Sequence, residues 1–188
     1  MLGNAVLRVL AGSPQLDVVG TVRSSRSVGL LPNTLGERLV SGVDVENSDT
    51  LVSLFSKVRP AVVINCIGLV KQLAESDDPL QAIPVNSVLP HRLARLCDAV
   101  GARLVHMSTD CVFSGKRGMY SETDFPDADD LYGRSKFLGE VDYPNAITLR
   151  TSIIGHERDG ARSLINWFLS QEGQVKGYAR AVFSGFPT

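Results

Sequence analysis

The sequence is short of cysteine, of net charge and of long apolar runs, and each shortage removes a class of function. Three cysteines, Cys66, Cys97 and Cys111, are odd in number and far apart. They form no metal-spaced pair and suggest no disulfide framework, which fits a reducing, cytoplasmic setting. A formal net charge of −1 gives no electrostatic case for nucleic acid or an anionic membrane as partner. No apolar run approaches the length of a membrane span. The start of the chain has no basic segment followed by a continuous apolar one, so no signal peptide is expected. Internal repeats and low-complexity linkers are missing as well.

What is present suits one domain. The 188 residues are 44% apolar and 21% charged, enough for a substantial core and too few for two large ones. Leu2, Val6, Leu7, Val9 and Leu10 predict an amphipathic helix stopped at Gly12. Strands are expected over 16–22, 37–45, 60–68, 102–108 and 145–150, with a further short one at 178–185. The nearly continuous apolar run of 60–68 predicts a strand covered on both faces. Helices are expected over 49–58, 86–101, around 131–140 and over 163–173. Alternation of this kind implies βαβ units and a doubly wound parallel sheet, a Rossmann-type α/β fold. Ligands of such sheets bind at the carboxyl ends of the strands.

Several candidates follow strands. Gly3 opens the first helix, where a dinucleotide fingerprint would place a glycine; alone it is a commonplace residue. Arg23 follows the next strand about 20 residues on, where an arginine suits a 2′-phosphate and where a solvated basic turn, with Ser24 and Arg26, is the bland alternative. Asp44 could face an adenine edge or cap the following helix. The segment from Asn65 to Gly68 could admit a cofactor's backbone-close approach or simply pack tightly. Ser108 and Thr109 leave an apolar strand, although Ser-Thr-Asp also serves as an ordinary turn. His106 reads as a satisfied core histidine rather than a base, and His91 and His156 have no partner suggested by spacing. The acidic stretch 122–130 reads as a solvated loop. Tyr132 and Lys136 lie one helical turn apart and share a face. Proton transfer to a carbonyl oxygen needs an acid within reach, and a lysine ammonium would pull the phenol's pKa down from about 10. As a bare spacing the pair is weak; with Thr109 upstream at a strand end it gains force.

On VRPAVVINCIG (58–68), VNSVLPHRLA (85–94), GARLVHMSTDCVFSGKRGMYSETD (101–124), DLYGRSKFLGEV (130–141) and ITLRTSIIG (147–155), the chain resembles the extended short-chain dehydrogenases/reductases. More narrowly, it is similar to their dTDP-4-dehydrorhamnose reductase group. The resemblance implies hydride transfer from NADPH, with NADH as the alternative, to the 4-keto carbon of a nucleotide-linked deoxysugar, in cell-surface polysaccharide synthesis. By the same resemblance Thr109 would orient the carbonyl, Tyr132 would donate the proton, and Lys136 would hold the ribose and tune Tyr132. Gly3, Arg23, Asp44, Cys66, Ile67, Gly68 and Thr151 would contact the cofactor. Asn86, Asp110, Cys111 and Ser152 would lie toward the substrate.

Two departures from the group leave the identity of the sugar open. Cys111 replaces the usual tyrosine, and Ile153 stands where a tryptophan is frequent. The sugar-nucleotide dehydratases of the superfamily carry an Asp-Glu pair that Asp110–Cys111 lacks, which disfavours 4,6-dehydration. In the family, the opening MLG would end a Gly-rich turn. The expectation is therefore an internal piece of a longer reductase lacking the first strand, with a cofactor domain over 1–155 and the start of a substrate-binding region over 156–188. Two rivals remain: a nucleotide-sugar epimerase, and a non-catalytic homologue such as the regulatory subunit of methionine adenosyltransferase. A homodimer is also left open.

Overall fold

Strands and helices alternate along the chain in the order that the apolar pattern predicts. The computed structural model describes residues 1–29, 31, 33–157, 163–179 and 186–187. The elements are α1 (Leu2–Ala11), β1 (Gly20–Val22), α2 (Ser25–Val28), β2 (Leu39–Ser41), α3 (Ser48–Val58) and β3 (Val62–Asn65). There follow α4 (Pro79–Ala82), α5 (Leu89–Ala99), β4 (Arg103–Ser108), α6 (Leu131–Leu138), β5 (Ala146–Arg150), β6 (Ile153–Ile154), α7 (Leu164–Leu169) and β7 (Phe186–Pro187). Every strand pair is parallel. The expected α/β architecture is therefore present.

Among the described residues the strands form three groups: β1 with β2, then β3, β4 and β5 in that spatial order, then β6 with β7. Among the described residues β3 is paired only on its β4 side. This one-sided pairing goes with strands shorter than the apolar runs suggest. Only Gly20–Val22 of 16–22 and Val62–Asn65 of 60–68 are laddered. It also corrects the expectation of a strand covered on both faces, because Val62 is 51% exposed and Ile64 points outward on the same side. The helix expected over 163–173 is limited to α7, and most of the strand expected at 178–185 lies outside the described residues.

The covered face of β4 carries Leu104, His106 and Ser108 at alternate positions, as the two-residue period of a strand requires. Leu104 joins Leu51 and Phe55 of α3 and Leu89, Leu93, Ala94 and Cys97 of α5 in the core. Helix α3 starts where Asn47 accepts the backbone N–H groups of Asp49 and Thr50, a standard N-cap that satisfies two otherwise orphaned donors. Helix α5 is the continuation of α4 through a π-helical turn at Ile83–Val88. Such wide turns concentrate at functional sites. Here the turn carries Asn86 and lies against α6.

Candidate active site

Strand β4 delivers Thr109 to the carboxyl edge of the sheet. The Thr109 hydroxyl oxygen accepts the Cys111 N–H at 3.1 Å, capping the short turn Asp110–Val112, and donates to the Asp110 carboxylate at 3.2 Å. Helix α6 begins at the same edge. Its N-cap is Asp130, which accepts the Gly133 N–H at 2.8 Å and pairs with Lys71 at 2.8 Å. A β-carbon at Gly133 would overlap both the Cys111 carbonyl oxygen and Ala128, so only glycine lets the first turn of α6 seat on the turn after Thr109. That close approach brings Tyr132 beside Thr109.

Lys136 sits one turn further and is almost fully enclosed, 4% exposed. Its ammonium donates to the Met107 carbonyl at 2.9 Å. Burial pushes its pKa down to about 8, with the Glu140 carboxylate acting in the opposite direction. Tyr132 moves the other way from the sequence expectation: burial raises its phenol to about 12, and the Thr109 hydroxyl offsets only part of that. Desolvation outweighs any help from the lysine, so the phenol stays protonated across the physiological range. Burial likewise pushes the Cys111 thiol up.

Beneath this group, Asn86 is fully buried and spends its amide on the chain. Its Oδ1 accepts the Leu69 N–H at 2.9 Å, and its Nδ2 donates to Ser135 Oγ at 3.1 Å. It therefore ties the loop after β3 to α6, on the helical segment flanking the site. A β-carbon at Gly139 would overlap the Asn86 carbonyl oxygen, so the glycine that caps the end of α6 also answers to a backbone approach. Gly68 lies in the same cluster, where an added β-carbon would stand 3.3 Å from Asn86 Oδ1 and 3.6 Å from Lys136 Nζ.

The remaining cofactor-side candidates divide among three places. A β-carbon added at Gly3 would stand 3.4 Å from the Cys66 β-carbon, so the start of α1 meets the end of β3. Ile67 follows, with its N–H held by Asn65 Oδ1 at 3.0 Å. Arg23 and Asp44 belong to the β1–β2 pair, whose ends are joined by the Val43 N–H on the Val22 carbonyl at 3.2 Å. Arg23 is exposed, whereas Asp44 accepts the Glu46 N–H at 3.1 Å and so also serves the turn before α3. Beyond β5, the Thr151 hydroxyl donates to the Ser152 carbonyl at 2.9 Å. His106 is the core histidine that the sequence suggested, but only half satisfied. Asn65 Nδ2 donates to its Nδ1 at 3.1 Å while its Nε2 has no hydrogen-bond partner.

Residues 1–174 match the family model described as the RmlD substrate binding domain. The chain belongs to that family. As a member of the RmlD family it is 31% identical over 172 residues to the probable low-salt glycan biosynthesis reductase Agl14 of Haloferax volcanii, a match covering 89% of this chain and 55% of that one. It is 39% identical over 100 residues to the dTDP-4-dehydrorhamnose reductase of Mycobacterium tuberculosis, covering 48% and 33% respectively. A solved structure of Bacillus anthracis dTDP-4-dehydrorhamnose reductase in complex with NADP aligns with a TM-score of 0.58 at 26% identity, over 74% of this chain and 54% of that one. The chain thus spans about half the length of the Haloferax volcanii and Bacillus anthracis relatives.

Sequence reasoning missed Glu140 and Arg150. Arg150 Nη2 meets Glu140 Oε2 at 2.7 Å, Arg150 Nε meets Oε1 at 2.9 Å, and the Ser108 hydroxyl donates to Oε1 at 2.8 Å. A glutamate one turn after Lys136 and an arginine closing a strand were the available signals. Neither residue looks unusual until the fold brings them together. Spacing suggested no partner for His91, yet its ring engages the Tyr143 hydroxyl at 2.9 Å and the Leu138 carbonyl at 2.8 Å. No described helix is long and apolar enough to cross a membrane.

Proposed function

We propose that this RmlD family member supplies the catalytic half of an NADPH-dependent reductase acting on the 4-keto group of a nucleotide-linked deoxysugar. One observation carries the reading: Thr109, Tyr132 and Lys136 converge at the carboxyl edge of β4, held there by the seating of Gly133 on the Cys111 carbonyl. The reductase relatives support it. In this reading residues 1–155 form the cofactor domain and 156–188 begin the substrate-binding region.

The residues present fit a nicotinamide dinucleotide. Gly68 keeps the approach to Lys136 open, since any side chain there would crowd Asn86 and the ammonium. Lys136 would hold the ribose hydroxyls, and the start of α1 at Gly3 would face the pyrophosphate with its unpaired N–H groups. Cys66, Ile67 and Thr151 would line the same side. Arg23 would take a 2′-phosphate, and Asp44 the adenosine end. The bound cofactor supplies the hydride for the carbonyl carbon.

The chain's own residues manage the proton. Thr109 and Tyr132 would hydrogen-bond the substrate carbonyl oxygen, and Tyr132 would pass its phenolic proton to that oxygen as negative charge develops there. A phenol raised to about 12 is fully protonated at neutral pH, and being a weaker acid it needs the developing negative charge to draw the proton off. Lys136 then stabilises the tyrosinate left behind, and it carries that charge fully only below about pH 8. Asp110, Cys111 and Ser152 would border the sugar, with Asn86 bracing them from below.

The test incubates the chain with NADPH and a dTDP- or UDP-linked 4-keto-6-deoxysugar and follows the nicotinamide absorbance. Stoichiometric oxidation is the expected result. Product formed without net oxidation would replace the reading with an epimerase. No turnover of any keto sugar, together with tight binding to another protein, would replace it with a non-catalytic role. Arg23→Asp is expected to shift preference from NADPH toward NADH, and an unchanged preference would remove Arg23 from the cofactor site.

A further inference from the structure

Three chain segments that present candidate site residues end on one carboxylate. Ser108 is the residue before Thr109, Arg150 is the residue before Thr151, and Glu140 lies one turn beyond Lys136. Glu140 accepts the Ser108 hydroxyl at 2.8 Å and both arms of the Arg150 fork, at 2.9 and 2.7 Å. The Glu140 side chain is 11% exposed and that of Arg150 23%, so this pair is shielded from the solvent that makes surface pairs nearly worthless. The guanidinium also donates to the Glu122 carbonyl at 3.3 Å and lies 5.1 Å from the Phe113 ring centroid. Phe113 in turn stacks on Tyr120. The clamp therefore reaches the loop that follows Thr109.

We propose that Glu140 is a positioning residue for the reduction: its carboxylate fixes the ends of β4 and β5 to the end of α6 and adds a negative charge beside the Lys136 ammonium. The inference rests on the reductase reading above. A shared bidentate pair suits this task, because a planar fork fixes direction as well as distance. A bare structural pair of this kind would contribute little net stability, since desolvating both ions offsets most of their attraction. Its value lies in register.

The charge facing Lys136 is set by few groups. On its own helix this is the neutral Tyr132, with Glu140 just past the helix end; on β4 the Met107 carbonyl and His106, which burial keeps uncharged; on the π-helical turn the neutral Asn86; Arg150 on β5 is paired to Glu140. Burial alone lowers the lysine, and Glu140 is the group that opposes it. Removing the carboxylate charge leaves Arg150 unpaired behind it. Losing the carboxylate charge lowers the Lys136 midpoint and moves the alkaline limb of activity to lower pH.

The experiment compares the 188-residue chain with Glu140→Gln and Glu140→Asp. The 13Cε shift of Lys136, assigned with Lys136→Arg, gives its midpoint without any turnover; kcat and KM come from the keto-sugar assay. Glu140→Gln is expected to move the midpoint below about 8 and to cut kcat by roughly 100-fold, the scale of a misplacement near 1 Å, with KM little changed. Glu140→Asp is expected to restore part of both. A folded Glu140→Gln protein with an unchanged midpoint would overturn the proposal, as would a kcat loss that aspartate leaves unrescued. Should Glu140→Gln fail to fold, Arg150→Lys keeps the charges and loses the fork; kcat falling at constant KM supports the clamp, and unchanged kcat overturns it. If the wild type reduces no keto sugar, the reductase reading fails, while the Lys136 midpoint still decides whether Glu140 sets its charge.

Discussion

Helices α5 and α6 both reach β4, and they are held by opposite means. Helix α5 buries Leu89, Leu93, Ala94 and Cys97 in an apolar stripe at helical spacing. Helix α6 buries Gly133, Ser135 and Lys136, and leaves Leu138 61% exposed. The first is fixed by removing apolar area from water, about 1.5–3 kcal/mol for each large side chain. The second is fixed by backbone contact at its glycines, by the Asn86–Ser135 bond and by the Lys136–Met107 bond. What α6 gives up in hydrophobic anchoring it gains as an ammonium and a phenol held in a dry site.

The contrast can be broken at either end. Leu93→Ala on α5 is expected to cost about 2–5 kcal/mol in urea unfolding, because the emptied space lies in the main core. A loss under 1 kcal/mol would show that α5 is not the apolar anchor. On the polar side, His106 lies buried on the covered face of β4 and feels the charge of Lys136 on α6. Burial holds it down to about 3, below its unfolded value of 6.5. The unfolded chain therefore takes up the proton first. Stability is complete above about pH 6.5 and drains as the pH falls toward 3, by up to roughly 4 kcal/mol at about 1.4 kcal/mol per unit. Thermal melts from pH 7 to pH 4 check this, and His106→Asn should flatten the dependence.

Smaller effects sharpen the same comparison. Gly139→Ala adds one methyl group against the Asn86 carbonyl and is expected to cost about 1–3 kcal/mol by overpacking. A neutral result would mean that α6 is not seated by backbone contact. Leu138→Gln, at the exposed apolar position, is expected to stay within about 0.5 kcal/mol.

The same contrast explains what the sequence made legible. Helix α5 and strand β4 follow their apolar periods closely, because burial of those side chains is what forms them. The Tyr132–Lys136 spacing was legible as chemistry, but the packing face of α6 was not, since glycine, serine and lysine carry no hydrophobic signal. Strand lengths at β1 and β3 were overcalled because apolar runs continue past the point where ladder partners stop. The π-helical turn before α5 left no trace in composition, although the Asn86 carbonyl that it carries packs directly on Gly139. The Glu140–Arg150 pair was invisible for a related reason. It joins the end of α6 to the end of β5, and only the parallel register of β4 and β5 brings Ser108 and Arg150 level.

The central claim is that Tyr132 donates the proton to a bound carbonyl. Its most direct test is Tyr132→Phe, measuring kcat with the keto-sugar nucleotide and NADPH affinity by titration in the same preparation. The account predicts a fall in kcat of roughly 10²–10⁴-fold with cofactor affinity unchanged. Turnover at the wild-type rate would contradict it.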